Sequence, residues 1–481
     1  MTLPLYTWHN LKLAEILSSL EETGIDVVPR NIDHTETRME KIRKTTSLPF
    51  VVDDIFRLGY FDGFEEHHFT GVRKDALSQL TEYLKAEAES KKQWQEVVTA
   101  RWDARAQSWA DTINSPESYV NHENGYDRFL KEIDRVLPLV SGSVIEVGCG
   151  NGEVSRHIIS NNGGLSVDAI DISERMVQEA RTLSKDFANL NFSVGQIHDL
   201  ESPAQLVVSR GVVVSHVHRA EAFPFLEKLA SLVDVGGYAI FDFISNLENG
   251  DDTGRLEKNV FTLDLIVAVM RELGLVHIAA NTLPFGRVSI ATFHRPLSNS
   301  VYFATSSAQK VIELSAAAKS RAIHLCNIDI PEIKSDDIVE IAKDKAKKSF
   351  DHISHPVIVT DGGIFIDALR GFPGPNSKQA ALCLGPEGIL KLLEGEERRT
   401  AVRRNCLVYF DGTDYRVCVS EMPLTIATEL RDSSFAAYPL DRILIPIHAN
   451  NPDGKTYKEM PVEDRVRFTE LPRFIEFIEQ L

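Results

Sequence analysis

A glycine-rich turn between two apolar segments is the feature of the sequence most suited to chemistry. An apolar stretch ends at Glu146 and is followed by Gly148, Gly150 and Gly152, after which a helical pattern begins. Glycines are needed where the backbone turns sharply and comes close to a ligand. Asp171 ends the next apolar stretch, where its carboxylate could accept hydrogen bonds from both hydroxyls of a ribose. The spacing therefore predicts a nucleoside-binding site.

The elements that must position this site follow an alternating pattern. Between residues 107 and 296, short apolar segments alternate with amphipathic helices, which predicts an α/β fold with a mostly parallel sheet. The predicted strands cover residues 143–147, 166–170, 191–194, 206–209, 238–243 and 288–293. A charged stretch over residues 86–106 predicts a solvated linker helix before this domain. Pro296 marks its end, and a third unit over 298–481 begins with a strand at 300–304.

The central segment resembles the class I S-adenosylmethionine (SAM)-dependent methyltransferases over residues 100–296. The resemblance rests on the glycine turn, on the acidic strand end DIS, on GQIHDL (195–200) and on the stretch from 206 to 243 with its paired glycines. It implies a Rossmann-like domain with SAM as the cofactor. The residues that would contact SAM are Glu146, Gly148, Gly150 and Gly152 in the loop, Asp171 at the ribose, Gln196 and Ile197 at the adenine, and Ser209 and Arg210 at the methionine end.

Two histidines after the fourth predicted strand are candidate bases for the methyl acceptor. Imidazole titrates near neutrality, so His216 or His218 could take a proton from the acceptor. Either ring could instead face solvent or cap a helix, and for each histidine taken alone that role is the better expectation. Trp102 and Trp109, at helical spacing, could cover the cofactor or pack in the core.

From residue 301 onward the sequence resembles the inosine-triphosphate pyrophosphatase family. The most specific segment is VIVTDGGIFIDALRGFPGPNSKQ (357–379), supported by FATSSAQKVIEL, IVEIAKDKAKK and TYKEMP. The resemblance implies Mg²⁺-dependent cleavage of non-standard purine nucleoside triphosphates. It makes Glu340 and Asp361 the metal ligands, with Asp361 also catalytic as the activator of water. The nucleotide-binding residues would be Thr305, Ser307, Lys310, Lys345 and Asp441.

Several positions of this domain depart from the family pattern. Ser307 stands where the family has Asn, Thr360 replaces one of two paired acids, and the base-reading loop appears as AYPLDRIL, which keeps only Asp441. Loss of these polar contacts should weaken discrimination between bases, because a wrong base then leaves fewer polar groups of the site unpaired. The domain is expected to be degenerate. It could be an enzyme of altered specificity, a nucleotide-binding regulator or a dimerisation module.

The N-terminal segment, residues 1–85, carries a partial copy of the same pattern. Residues 7–15 match 305–313, and LPFVVDDIF (48–56) matches HPVIVTDGGIF (355–365), which predicts an incomplete duplication. Asp53 and Asp54 retain the acidic pair and could complete a composite metal site. Family members are usually homodimers, so the resemblance makes a homodimer a candidate assembly, in which this copy could mimic a partner lobe.

Composition sets outer limits on function. The chain has 481 residues, 52 basic and 70 acidic, which gives a net charge of −18 and disfavours broad nucleic-acid binding. Five cysteines without C-x-x-C spacing, no signal-peptide pattern and no long apolar run favour a cytoplasmic protein off the membrane. The preferred function is methylation of a small molecule, a nucleotide or nucleoside first. The alternatives are a nucleoside triphosphate pyrophosphatase of altered specificity and a nucleotide-responsive scaffold.

Overall fold

The computed structural model describes most of the chain beyond its N-terminal segment. The described residues are 2–6, 26–30, 55–61, 66–114, 126–211, 213–245, 259–282, 288–305, 308–317, 321–328, 330–432, 438–461 and 471–480. The chain divides into two compact units, Met1–Pro296 and Leu297–Leu481. None of the described helices is both long enough and apolar enough to cross a bilayer.

The first unit is built on a seven-stranded sheet. Its strand order is β10-β11-β9-β8-β5-β6-β7. Strands β5 to β9 run parallel to one another, whereas β11 is antiparallel to both of its neighbours, β9 and β10. The strands are β5 (Ser143–Val147), β6 (Ser166–Asp171), β7 (Leu190–Val194), β8 (Ala204–Ser209), β9 (Val233–Ile244), β10 (Val276–Asn281) and β11 (Val288–His294). This order confirms the predicted α/β class.

Helices connect these strands and carry their apolar faces onto the sheet. They are α2 (Tyr126–Val136), α3 (Glu153–Asn161), α4 (Glu174–Leu183), α5 (Val213–His216), α6 (Arg219–Ser231) and α7 (Leu263–Glu272). A core of aromatic and aliphatic residues lies between β9, β11, α6 and α7. Within it the rings of Phe241 and Phe293 stack at 5.5 Å. This rigid core holds the carboxyl ends of β5, β6 and β8 in fixed positions.

A long helix, α1 (Arg73–Asn114), precedes this domain and is 42 residues long. It extends beyond both ends of the predicted linker helix. Four short strands come before it and form a parallel pair, β1 (Thr2–Tyr6) with β2 (Asp26–Arg30), and a hairpin of β3 (Ile55–Phe61) and β4 (Glu66–Val72). Residues 7–15 and 48–54, on which the predicted duplication rests, lie outside the described residues, as do Asp53 and Asp54.

The second unit contains one mixed sheet of order β13-β12-β14-β16-β17-β18, with β15 added beside β14. The strands are β12 (Ser300–Ala304), β13 (Ala322–Cys326), β14 (Val357–Ile366), β15 (Pro373–Gly374), β16 (Thr400–Phe410), β17 (Tyr415–Ile426) and β18 (Leu444–Pro446). The helices are α8 (Ala308–Ala317), α9 (Ile338–Ile353), α10 (Ser377–Cys383), α11 (Gly385–Leu392) and α12 (Leu471–Glu479). Strand β12 begins and ends where the sequence predicts.

Candidate functional site

The glycine turn after β5 has the backbone conformation that its sequence predicts. Gly148, Gly150 and Gly152 have φ values of 76°, 52° and 77°, in the left-handed region. Gly152 immediately precedes α3, and a Cβ added there would lie 2.7 Å from the ring of Phe192. The turn therefore needs glycine at this position for both conformation and space.

Glu146 lies at the end of β5 beneath the glycine turn. Its side chain is buried, and the Ser155 hydroxyl of α3 donates a hydrogen bond to its carboxylate. Burial raises the pKa of Glu146 to about 7, since the charged form is poorly solvated there. Glu146 thus ties the strand to the helix behind the turn.

Asp171, at the end of β6, has its carboxylate held by two backbone amides. The Gly150 amide donates to Oδ2 at 2.8 Å, and the Ser173 amide donates to Oδ1 at 2.9 Å. Burial raises its pKa above the ordinary value. Because each carboxylate oxygen can accept two hydrogen bonds, the carboxylate can still accept one from a hydroxyl donor. This is the arrangement that binding of a ribose diol requires.

The predicted adenine-flanking residues follow β7 in a short 3-10 turn. Ile197 is buried in the core of the sheet, whereas Gln196 is exposed and its backbone amide donates to Asp199 Oδ2 at 2.7 Å. The next residue, His198, pairs with Glu221 of α6 at 3.5 Å, and Glu221 also pairs with Lys91 of α1. Ile197 therefore has a packing role in this structure, and its adenine contact stays a prediction.

At the end of β8, Ser209 and Arg210 lie where the methionine end is predicted. The Ser209 hydroxyl is buried and finds no hydrogen-bond partner among the described residues. The Arg210 guanidinium lies 4.5 Å from the centre of the Tyr126 ring. A buried hydroxyl without a partner is costly, so this oxygen is suited to a polar group of a ligand.

The two candidate bases occupy different environments around α5. His216 is half-buried, and its Nδ1 lies 3.1 Å from the Gly211 carbonyl oxygen. His218 is buried, its Nε2 is 3.0 Å from the Ser90 hydroxyl, and its ring packs edge-on against Trp94. These contacts give His218 a structural role at α1, which leaves His216 the better placed of the two for proton transfer.

Trp109 of α1 lies beside the glycine turn. Its Nε1 atom is 3.6 Å from the position that a Cβ on Gly150 would occupy, and its ring meets that of Trp102 edge-on at 5.3 Å. This placement favours the covering role over core packing. The glycine cradle, the fixed Asp171 carboxylate and the unpartnered Ser209 hydroxyl together fit a nucleoside cofactor of the SAM type.

In the second unit, the side chains of Glu332 and Lys345 lie close enough to Asp361 of β14 to shift the pKa of its carboxyl group. Burial raises the pKa of Asp361, the charge of Glu332 raises it further, and Lys345 opposes both. Lys345 Nζ lies 2.9 Å from a Glu332 oxygen. The sequence reasoning missed Glu332, although its acidic side chain precedes α9 by only a few residues.

The other predicted residues of this unit make contacts with other side chains or with the backbone. Glu340 is exposed and accepts a hydrogen bond from the Ser335 hydroxyl at 2.7 Å, so its metal role stays a prediction. Asp441 pairs with Arg403 at 3.2 Å, and the Arg403 guanidinium lies 4.4 Å from the centre of the Tyr457 ring. The Thr305 amide donates to the Cys326 carbonyl at 2.9 Å.

The remaining predicted features of this unit are two nucleotide-binding residues and a metal site. Lys310 is exposed near the start of α8, and Ser307 lies outside the described residues. Within the parts of the chain that the structure describes, no group of three His, Cys, Asp or Glu side chains is arranged to hold a metal ion. Mg²⁺ is usually held by one or two carboxylates together with substrate phosphates, so a magnesium role for Asp361 stays a prediction.

Two family models match the chain, one in each unit. The methyltransferase domain model matches residues 144–237, and the Ham1 family model matches residues 301–470. A dITP/XTP pyrophosphatase of Saccharolobus solfataricus is 33% identical over 181 residues, covering 36% of this chain and 91% of that protein. One from Methanopyrus kandleri is 35% identical over 179 residues, covering 37% of this chain and 92% of that protein.

A similar solved structure matches the first unit. It is the magnesium protoporphyrin IX methyltransferase from Synechocystis PCC 6803 with bound SAM, at 19% identity and a TM-score of 0.35, covering 42% of this chain and 97% of that one. The sequence matches, however, are enough to place both segments. The chain belongs to the Ham1 family through residues 301–470 and carries a methyltransferase domain over residues 144–237.

Proposed function

We propose that the first unit is a SAM-dependent methyltransferase that acts on a small molecule, with nucleotides and nucleosides as the first class to test. The observation that carries the proposal is the Asp171 carboxylate, fixed by the amides of Gly150 and Ser173 beside the glycine turn. SAM, when bound, supplies an electrophilic methyl group. The protein's task is then to hold the acceptor in line with that group and to exclude water.

Each residue of the proposed site would contact a different part of the cofactor or of the acceptor. Asp171 would take the ribose hydroxyls, the turn from Gly148 to Gly152 would lie against the nucleoside, and Ser209 would donate to the polar methionine end. If the acceptor carries a proton, His216 is the candidate to remove it, because its half-buried ring closely follows β8, the strand that ends at Ser209.

A radiolabelled methyl-transfer screen tests this proposal. The full chain is incubated with SAM carrying a labelled methyl group and with separate pools of nucleotides, nucleosides and small molecules from a cell extract. We expect label in a small-molecule product, lost in Asp171→Ala and reduced at neutral pH in His216→Gln. Transfer to macromolecules alone, or no transfer to any pool, would contradict the proposal.

A second activity, nucleoside triphosphate pyrophosphohydrolysis, is supported by the Asp361, Glu332 and Lys345 cluster and by the similarity to dITP/XTP pyrophosphatases. Glu332→Gln and Asp361→Asn should each lower pyrophosphate release from ITP or XTP by more than tenfold. Asp351→Asn is the matched control, since Asp351 is an exposed acid of α9 that pairs with Lys347 at 2.9 Å. Equal losses in Asp351→Asn and Glu332→Gln would remove the structural basis of this assignment.

We propose two further roles for the second unit, in case it has no catalytic activity. If the second unit is degenerate, it would bind a nucleoside triphosphate without turnover and act as a regulator or as a homodimerisation module. The same pyrophosphate assay, combined with nucleotide binding and light scattering, separates these cases. A cytoplasmic location is also proposed, on the basis of five cysteines that are all free in the structure.

A further inference from the structure

Helix α1 lies outside the segment that matches the methyltransferase family, yet it reaches the cofactor side of the sheet at several points. Ser90 and Trp94 contact His218 and the His216 carbonyl, at 3.0 Å and 2.8 Å. Lys91 pairs with Glu221 of α6. Further along the helix, Trp109 lies beside Gly150. One helix therefore follows the edge at which β5, β6 and β8 end.

The closest polar link between α1 and the predicted ribose site is made by Asp103. Its Oδ1 atom accepts a hydrogen bond from the Ser173 hydroxyl at 2.6 Å and lies 3.5 Å from the amide nitrogen of Arg175. Ser173 is also the N-cap of α4, and its hydroxyl accepts a hydrogen bond from the Met176 amide at 3.2 Å. The Ser173 side chain is thus fixed from two sides.

The same serine fixes Asp171 through its backbone. The Ser173 amide donates to Asp171 Oδ1, while the Gly150 amide donates to Oδ2. The position of the Asp171 carboxylate consequently depends on where Ser173 lies, and Ser173 is held by Asp103 from a helix outside the sheet. Small displacements of a binding group weaken the interactions it makes, because hydrogen bonds to a ligand are steeply dependent on geometry.

We propose that Asp103 is a positioning residue for cofactor binding, which acts through Ser173 to orient the Asp171 carboxylate toward the ribose hydroxyls. The site would then require α1, and residues 144–237 alone would bind the cofactor weakly. This inference rests on the proposed binding of a SAM-type cofactor by the first unit.

The test compares binding of S-adenosylhomocysteine to the full chain by isothermal titration calorimetry. Asp103→Ala removes the acceptor for Ser173 and should weaken binding about tenfold. Asp103→Asn keeps an oxygen that can accept from the Ser173 hydroxyl and should restore most of the affinity. Glu96→Ala is the matched control, because Glu96 is an exposed acid on the same helix, and it should bind as the wild type does.

An analogue of S-adenosylhomocysteine without ribose hydroxyls separates positioning from general stability. If Asp103 acts through Asp171, wild type and Asp103→Ala should bind this analogue with equal affinity. Ser173→Ala combined with Asp103→Ala should be no worse than Ser173→Ala alone, since both break one link. Equal penalties of Asp103→Ala for both ligands, or no difference from Glu96→Ala, would overturn the inference.

Failure of the two proposals is distinguishable. A wild-type chain that does not bind S-adenosylhomocysteine contradicts the proposed function itself. A wild type that binds it, beside an Asp103→Ala variant that binds it equally well, contradicts only the role of Asp103. Thermal unfolding of each variant shows whether it is folded at the temperature of the titration.

Discussion

Gly152 carries a stringent steric requirement in the cofactor turn, and Gly142 is a suitable control for it. Both have positive φ values, 77° and 87°, but a Cβ on Gly152 would meet Phe192 at 2.7 Å, whereas one on Gly142 would have nothing within 4 Å. Gly142→Ala should cost about 1–2 kcal/mol of unfolding free energy from backbone strain alone.

Gly152→Ala should cost more than Gly142→Ala and should weaken S-adenosylhomocysteine binding, because the ring of Phe192 or the turn must move. Chemical denaturation and calorimetric titration of both variants check this expectation. Equal stability and equal affinity in the two variants would show that the turn is less constrained than its geometry implies.

Glu146 predicts a pH dependence of stability. Its pKa is raised from 4.5 to about 7 by burial, so the folded state holds a proton that the unfolded state releases between these values. The stability from this group is therefore complete below about pH 4.5, falls as the pH rises to about 7, and is level above that. Glu146→Gln should remove this decline, which thermal unfolding at pH 5, 6, 7 and 8 would detect. An unchanged difference between variant and wild type across this range would contradict it.

At the scale of elements, the sequence predicts the sheet of the first unit well because buried parallel strands are strongly apolar. All six strands predicted for this sheet are present, although several are longer in the structure, such as β9. Strand β10 escaped prediction because its apolar run is short and directly follows α7, a context in which strand and helix are hard to separate.

Long-range contacts are the part of the site that could not be predicted. The motif residues Gly148, Gly150, Gly152 and Asp171 meet because strand ends of a parallel sheet share one edge. The contacts that α1 makes with the site could not be predicted in this way, because the mixed charges of its sequence indicate only a solvated helix. Glu332 was missed for a similar reason, because its neighbour Asp361 is near in space but distant in sequence.

Strand β14 illustrates an element whose packing depends on one glycine. A Cβ on Gly363 would lie 2.3 Å from the carbonyl oxygen of Gly374 in β15, a backbone atom that cannot easily give way. Gly363→Ala should therefore destabilise the second unit by roughly 1–3 kcal/mol or more. Gly395→Ala is the control for backbone strain alone, because Gly395 has a positive φ of 79° and open space around it, and Gly363→Ala should cost more.

Thermal unfolding followed in the presence and absence of S-adenosylhomocysteine checks the Gly363 variant. The transition of the second unit should move to lower temperature, while the ligand-stabilised transition of the first should not. An equal drop in the unfolding temperature of the second unit in Gly395→Ala and Gly363→Ala would contradict this expectation. The close approach of β15 to Gly363 would then add nothing to the cost of replacing a glycine.

The whole molecule joins two units with separate cores and separate candidate sites. The apolar cluster of the first unit lies within residues 145–293 and that of the second within 364–460. The acidic charge of −18 is a property of the whole chain, whereas each candidate site presents its own amides, hydroxyls or lysine. Both candidate activities would act on nucleoside-containing ligands, which makes a shared metabolite worth testing in the methyl-transfer screen.

The central claim is that the first unit binds a SAM-type cofactor through Asp171 and the glycine turn. Calorimetric titration of S-adenosylhomocysteine into the full chain, with Asp171→Ala beside the wild type, tests it most directly. We expect one binding event per chain in the wild type and at least a tenfold loss of affinity in Asp171→Ala. No binding to the wild type, or equal binding to both proteins, would contradict it.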